Sequence, residues 1–277
     1  MKNNSNGRAM KAITFSKYGK PAMLKKTEVP YPHGFDASNN VVIKVHASSV
    51  NPVDKILLSG DLKVVWPVAK FPHVICYDVA GIVEEADNEG VCSVGQPVFA
   101  RIWSKVSDGK KTPWFRGAMA EFCVVNTSDV VTKPDNISFE EAASIPLAGM
   151  TALQVLKESG LKEGDSIFIS GGAGGVGTIA IQLAKHVFKA GRVVTTASKG
   201  EKTDLCKSLG ADEVLDYKSE SFVTTYGNDD STKFDVCFDT TAESLEMANI
   251  IKEGGRIVSI AGTPTLDEIR RIGGTAW

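Results

Sequence analysis

The sequence predicts an α/β chain of two domains: a mostly-β domain over residues 10–134 and a doubly wound parallel-sheet domain over residues 135–277. Three observations carry this. The spacing of apolar segments changes near Pro134. Beyond that point short apolar runs alternate with helical patterns. The first such strand-to-helix junction is rich in glycine, Gly171 to Gly177.

The first domain is read from runs that alternate or carry β-branched residues: Lys11–Phe15, Val41–Ser48, Val79–Ala86, Pro97–Arg101 and Ala118–Val125. Loops such as Tyr31–Asn40 and Lys105–Pro113 separate them. Residues 1–9 are polar, Asn-rich and lack an apolar stretch, so they are expected to be a disordered leader and not a secretory signal.

In the second domain, Ser138 followed three residues later by Glu141 forms a capping box that opens a helix. A second helix is expected from Met150 to Ser159, stopped by Gly160. Strands are then expected at Ser166–Ser170, Arg192–Thr196, Glu213–Asp216, Val236–Asp239 and Arg256–Ala261. The helices between them are expected at Val176–Lys189, Lys202–Leu209 and Leu245–Ile251.

Composition bounds the function. Of 277 residues 43% are hydrophobic and 23% charged, and the net charge is only −2, so no general pull toward nucleic acid or membrane is expected. No apolar run has the length of a membrane span. The expected compartment is the cytoplasm. The five cysteines and four histidines are scattered without metal-ligand spacing, so no metal site and no disulfide framework is expected.

The glycine string alone is a weak signal, and its context strengthens it. Ser166–Ile169 before it is a buried-strand run. After it, Val176, Ile179, Ala180, Leu183, Ala184, Val187 and Phe188 share one helix face. Gly172, Gly174, Gly175, Val176 and Gly177 therefore read as a dinucleotide pyrophosphate loop at a helix N-terminus. No Lys-Ser/Thr pair follows, which excludes a P-loop. The acid that would bond a ribose 2′-hydroxyl belongs at the end of the next strand, where Ser198, Lys199 and Lys202 stand instead. A hydroxyl and cations suit a 2′-phosphate, so NADPH is favoured over NADH. Solvated lysines and a loose cofactor choice are the alternative.

With these residues in view, the chain resembles the zinc-free medium-chain dehydrogenase/reductases of the quinone oxidoreductase (zeta-crystallin-like) family, from about Met10 to Thr263. The resemblance is carried by Asn51-Pro52-Val53-Asp54, Asp78-Val79-Ala80-Gly81, Val94-Gly95, Val98-Phe99, Gly117–Glu121, Pro146–Ala152, Gly171–Gly177, Leu209–Asp212, Asp239-Thr240 and Gly254–Arg256. It implies a GroES-like substrate domain, a Rossmann domain with NADPH in the cleft between them, and reduction of quinones or α,β-unsaturated carbonyls. It also matches Ser198, Lys202 and Tyr217 to positions holding the 2′-phosphate, and Thr151, Ala261 and Gly262 to positions lining the nicotinamide. Zinc-dependent relatives have a Cys ligand where Asn51 stands, and Gly-His-Glu where Cys76-Tyr77-Asp78 stands. Catalytic zinc is not expected.

Two departures are visible. Lys55 and Ile56 follow Asp54 where the family has an aromatic and then Lys, and Cys76 replaces the usual Gly. The family also continues past the point where this chain stops, Trp277, so a five-stranded Rossmann sheet with one open edge is expected. A homodimer is the oligomer the resemblance implies.

Asn51 is the first candidate to donate to a developing enolate oxygen, and Tyr77 the second. For Asn51 the competing reading is a loop amide bonding backbone, and for Tyr77 core packing. Two other functions stay open: a catalytically silent, truncated or crystallin-like NADPH-binding protein, and an enoyl-thioester reductase. Substrate identity is expected to lie in the loops Leu57–Phe71 and Ile102–Arg116, with Trp66, Trp103, Trp114 and Phe115 either lining a pocket or packing.

Overall fold

A computed structural model describes residues 7–32, 39–64, 67–68, 71–86, 92–102 and 117–262. The four aromatic residues of the substrate loops, all but three residues of the leader, and the chain after Gly262 lie outside the described residues. The chain divides into two compact units, Met1–Leu147 and Ala148–Trp277. No helix among the described residues is long and apolar enough to cross a membrane.

The first unit contains β1 (Ala9–Phe15), β2 (Lys25–Pro30), β3 (Asn40–Ser49), α1 (Pro52–Ser59), β4 (His73–Val74), β5 (Asp78–Glu85), β6 (Pro97–Arg101), β7 (Phe122–Asn126), β8 (Val130–Thr132) and α2 (Phe139–Ser144). A five-stranded antiparallel sheet runs β7-β3-β5-β6-β8, and a three-stranded one runs β2-β1-β4. The period-two pattern of β3 explains the packing. Val41 and Ile43 join Val79, Val83, Val98 and Ala100 in one core, while Val42 turns the other way toward Met10, Tyr31 and Val124.

Several expectations change here. β1 starts at Ala9, and Arg8 stacks its guanidinium on the Tyr31 and Phe122 rings at 4.4 and 4.5 Å, so order begins before Met10. β2, β4 and β8 were not expected; β2 reads Lys-Lys-Thr-Glu-Val-Pro, and an edge strand that carries charges has little apolar signal. The run Ala118–Val125 splits. Ala118 and Met119 donate their N–H groups to Cys76 and Ile75 carbonyls, so only Phe122–Asn126 forms the strand beside β3.

From α3 (Pro146–Glu158) onward the second rhythm holds: β9 (Ser166–Ile169), α4 (Gly175–Gln182), β10 (Arg192–Ala197), α5 (Glu201–Ser208), β11 (Glu213–Asp216), α6 (Phe222–Tyr226), β12 (Phe234–Asp239), α7 (Ser244–Met247) and β13 (Ile251–Ser259). All five strands are parallel, in the order β11-β10-β9-β12-β13. Strand order therefore reverses between β9 and β12, the crevice where ligands bind in open α/β sheets. Alternate residues of each strand supply opposite faces. Ile167, Ile169, Val193 and Phe238 face one core, Phe168, Val194 and Cys237 the other.

The helix expected over Val176–Lys189 is α4 followed by one wide π turn, Leu183–Val187, in which Phe188 N–H donates to the Leu183 carbonyl at 2.9 Å. The helix expected over Leu245–Ile251 is only the four residues of α7. The Ile250 carbonyl already accepts the Phe234 N–H at 2.9 Å, so the chain has joined the sheet by then.

Phe168 is fully buried between Phe222 and Phe234, with ring centroids at 4.9 and 5.4 Å. Phe168→Ala should lower the unfolding free energy by about 3–5 kcal/mol in urea titrations. A loss under about 1 kcal/mol would mean this aromatic cluster does not hold the sheet face.

Candidate functional site

The glycine loop is shaped by the strands it crosses. Leaving β9, the chain turns at Gly171 (φ +66°), whose N–H donates to Thr196 Oγ1, while Gly172 N–H donates to the Thr196 carbonyl, both at 2.9 Å. A Cβ on Gly172 would stand 2.2 Å from Thr195 Oγ1, and one on Gly177 would stand 2.3 Å from the Gly171 carbonyl oxygen. Neither position admits a side chain. At Gly175 a Cβ would meet nothing within 4 Å, so this first residue of α4 faces open space. Gly174 is the N-cap and has no side chain to satisfy the first-turn N–H groups. Those donors, with the positive end of the helix, are available to an anion.

A cavity of about 520 Å³ opens beside this loop. Gly171 and Gly174 line it together with Ser198, Lys202 and Tyr217. Thus the three residues expected around a 2′-phosphate share one cavity with the glycines. Lys202 is exposed and Tyr217 is 57% exposed. Val176 sits in the first turn of α4, Thr151 is half-buried on α3, and Ala261 and Gly262 are exposed just after β13. None of these four lines the cavity.

The sequence did not single out four further lining residues, Thr196, Thr240, Thr241 and Glu243. Thr240 is placed by Ser170, and Thr241 and Glu243 by Asp239, a fully buried carboxylate at the end of β12. It accepts hydrogen bonds from Thr241 N–H at 2.9 Å, Glu243 N–H at 3.0 Å, Ser259 Oγ at 2.8 Å and Ser170 Oγ at 3.3 Å. One side chain thereby ties together the ends of β9, β12 and β13. Ala242 is held at φ +68°, a conformation unusual for a residue with a Cβ.

In the first unit the expected catalytic residues sit in a second polar cluster. Asn51 is the N-cap of α1, where it and Asp54 form a capping box; the Asn51 N–H donates to Asp54 Oδ2 at 2.7 Å. The Asn51 Nδ2 group donates to Asp78 Oδ2 at 2.8 Å and to Ser49 Oγ at 3.2 Å. The N–H groups expected to meet an oxyanion are thus engaged inside the protein. Tyr77 is buried in the core of the unit, its hydroxyl 2.9 Å from His73 Nε2. Sequence reasoning placed Asp78 in a motif but gave it no role; it is fully buried and also accepts from Ser49 Oγ at 2.8 Å and Leu147 N–H at 3.1 Å.

Burial sets the electrostatics of this cluster. It raises the Asp54 carboxyl from 3.8 to about 6, with the Asp78 charge adding and the Asn51 N–H and Arg101 opposing. Burial likewise raises Asp78. Cys76, at φ +69°, keeps the left-handed backbone that favours glycine, and burial beside two carboxylates pushes its thiol up to about 12. That thiol is unreactive. Among the described residues no three His, Cys, Asp or Glu side chains gather as a metal-binding set.

The fold and the glycine loop are those of the medium-chain dehydrogenase/reductase class. Residues 37–135 match the alcohol dehydrogenase GroES-like domain and residues 175–272 the zinc-binding dehydrogenase domain. The chain is similar to the quinone oxidoreductase from Coxiella burnetii, with 33% identity, a TM-score of 0.76 and coverage of 96% of this chain and 80% of that one. It therefore belongs to the zinc-free quinone oxidoreductase family of medium-chain dehydrogenase/reductases. It is also 40% identical over 259 residues to the 2-methylene-furan-3-one reductase of Solanum lycopersicum. With the chloroplastic NADPH-dependent alkenal/one oxidoreductase of Arabidopsis thaliana it shares 38% over 258 residues. Each match covers 92% of this chain, which spans only 63% and 64% of the length of those two relatives.

Two outcomes are expected. Gly172→Ala should abolish cofactor binding in a fluorescence titration, because its Cβ collides with Thr195, whereas Gly175→Ala should fold normally and lose affinity only through the ligand. Equal binding by wild type and Gly172→Ala would contradict the close-approach account. For Asp54, whose folded value lies above the unfolded one, stability is lost as pH rises from about 4 to about 6, by roughly 3 kcal/mol. Asp54→Asn keeps an acceptor for Asn51 and should flatten that part of the stability–pH profile. An unchanged slope would show that Asp54 titrates normally.

Proposed function

We propose that the protein binds NADPH and reduces the conjugated C=C bond of small enones and enals, or a quinone. The observation that carries this reading is the shared cavity in which the side-chain-free turn at Gly171–Gly174 meets Ser198, Lys202 and Tyr217. The chain fits the cofactor. The close turn leaves room for a pyrophosphate, the first turn of α4 offers free N–H donors, and Lys202 offers a cation to the ribose phosphate. β10 ends at Ala197 and Ser198, with no carboxylate there to favour a bare ribose hydroxyl.

When bound at this cavity, NADPH would supply the hydride for the reduction and become NADP⁺, with the accompanying proton drawn from solvent. The protein's part is orientation. Thr151, Ala261 and Gly262 are proposed to border the nicotinamide, and Asn51 and Tyr77 to act on the substrate. The names of the tomato and Arabidopsis relatives, a furanone reductase and an NADPH-dependent alkenal/one oxidoreductase, support an enone or enal as the electron acceptor. The name of the Coxiella relative supports a quinone.

Lys202→Ala should raise the NADPH Kd by about tenfold, the worth of one charge-assisted hydrogen bond, and leave the NADH Kd unchanged. The check is a pair of fluorescence titrations. Equal loss for both cofactors, or for neither, would remove Lys202 from the 2′-phosphate.

A further inference from the structure

We propose that Asp78 is the positioning residue of the segment Ser49–Val50–Asn51, acting through the Asn51 amide, an inference that rests on the reductase reading above and its role for Asn51 on the substrate. Among the described residues of this unit the buried polar side chains are Thr14, Asn40, Asp54, His73 and Asp78, and such groups are costly unless they do something. The two carboxylates among them converge on one short segment. Asp78 takes Ser49 Oγ and Asn51 Nδ2 on one oxygen and Leu147 N–H on the other. Asp54 takes the Asn51 backbone N–H from the opposite side. Arg101 stands across from Asp78 in the β5–β6 ladder as countercharge. The strained Cys76 backbone lies two residues before Asp78.

The segment so held is not itself buried. Val50 is 70% exposed and Asn51 half-buried, between two strongly anchored neighbours. Rigid backing with an open, partly apolar front is the arrangement of a pre-organised contact surface. An ionised Asp78 can only accept, so it dictates which end of the Asn51 amide faces it. Asn51 in turn keeps its other functions on α1 as the N-cap.

The polarity of this pair can be reversed. Asn51→Asp remains a good N-cap but faces Asp78 with a second carboxylate. N51D/D78N restores a donor opposite an acceptor, since the new amide at 78 can donate to the carboxylate at 51 and still accept the Leu147 N–H. Steady-state NADPH oxidation with methyl vinyl ketone and with p-benzoquinone, NADPH Kd and melting temperature would be measured for the three proteins. Asn51→Asp should lose kcat by about tenfold to a hundredfold, the effect of a misplaced contact surface, with NADPH Kd unchanged and a melting temperature lowered by the second carboxylate and restored in N51D/D78N. Its kcat should recover as pH falls and one carboxylate takes up a proton, and N51D/D78N should regain most of the loss at neutral pH.

Wild-type kcat in Asn51→Asp would overturn the inference, as would a double variant no better than the single one. A wild-type protein that binds NADPH and reduces neither acceptor would overturn the reductase reading and this inference with it. An active wild type with an unaffected Asn51→Asp would sink the inference alone.

Discussion

The second unit is organised by how closely a backbone can approach a strand end. Thr195 Oγ1 stands where a Cβ on Gly172 would be, and the Gly171 carbonyl stands where one on Gly177 would be. Because both positions are bare, the chain leaves β9, crosses the end of β10 and enters α4 within a few residues. That brings the N-terminus of α4 to the crevice where strand order reverses. The open side of Gly175 then faces outward, so the same turn that packs tightly inward presents free N–H groups to a ligand.

A buried carboxylate fixes the other wall. Asp239 gathers donors from Ser170, Thr241, Glu243 and Ser259, and so holds three strand ends in register. Asp78 does the same in the first unit, where Ser49, Asn51 and Leu147 converge on it. Both are full-depth carboxylates whose donors satisfy them, the condition under which a buried charge is tolerated. In each unit, one acid at a strand end organises the loops that stand next to the candidate chemistry.

These devices differ in how visible they are in the sequence. The alternation of strands and helices, the capping box at Ser138–Glu141 and the apolar face after Gly175 are local patterns, readable within a dozen residues. The cation and hydroxyl at Lys202 and Ser198 were legible because their distance from the glycines along the chain is set by one strand and one helix. Asp239 and Asp78 were not. Their partners lie 69 and 20–29 residues away in several cases, and nothing in a single acid's neighbourhood announces that it is buried. The same holds for Asn51, whose donor groups looked available until their acceptors were placed. β2 was missed and the helix at Leu245 was expected too long for a simpler reason: charge on an edge strand, and early pairing of Ile250 with Phe234, override the local pattern.

On the proposed function, the Gly171–Gly177 turn holds a dinucleotide by its backbone, with Lys202 at the far end. A crystal structure of the protein grown with NADP⁺ tests it most directly. The account predicts pyrophosphate oxygens within hydrogen-bonding distance of the first-turn N–H groups of α4, and the ribose 2′-phosphate against Ser198 and Lys202. A cofactor seated elsewhere, or one whose pyrophosphate makes no contact with that turn, would contradict it.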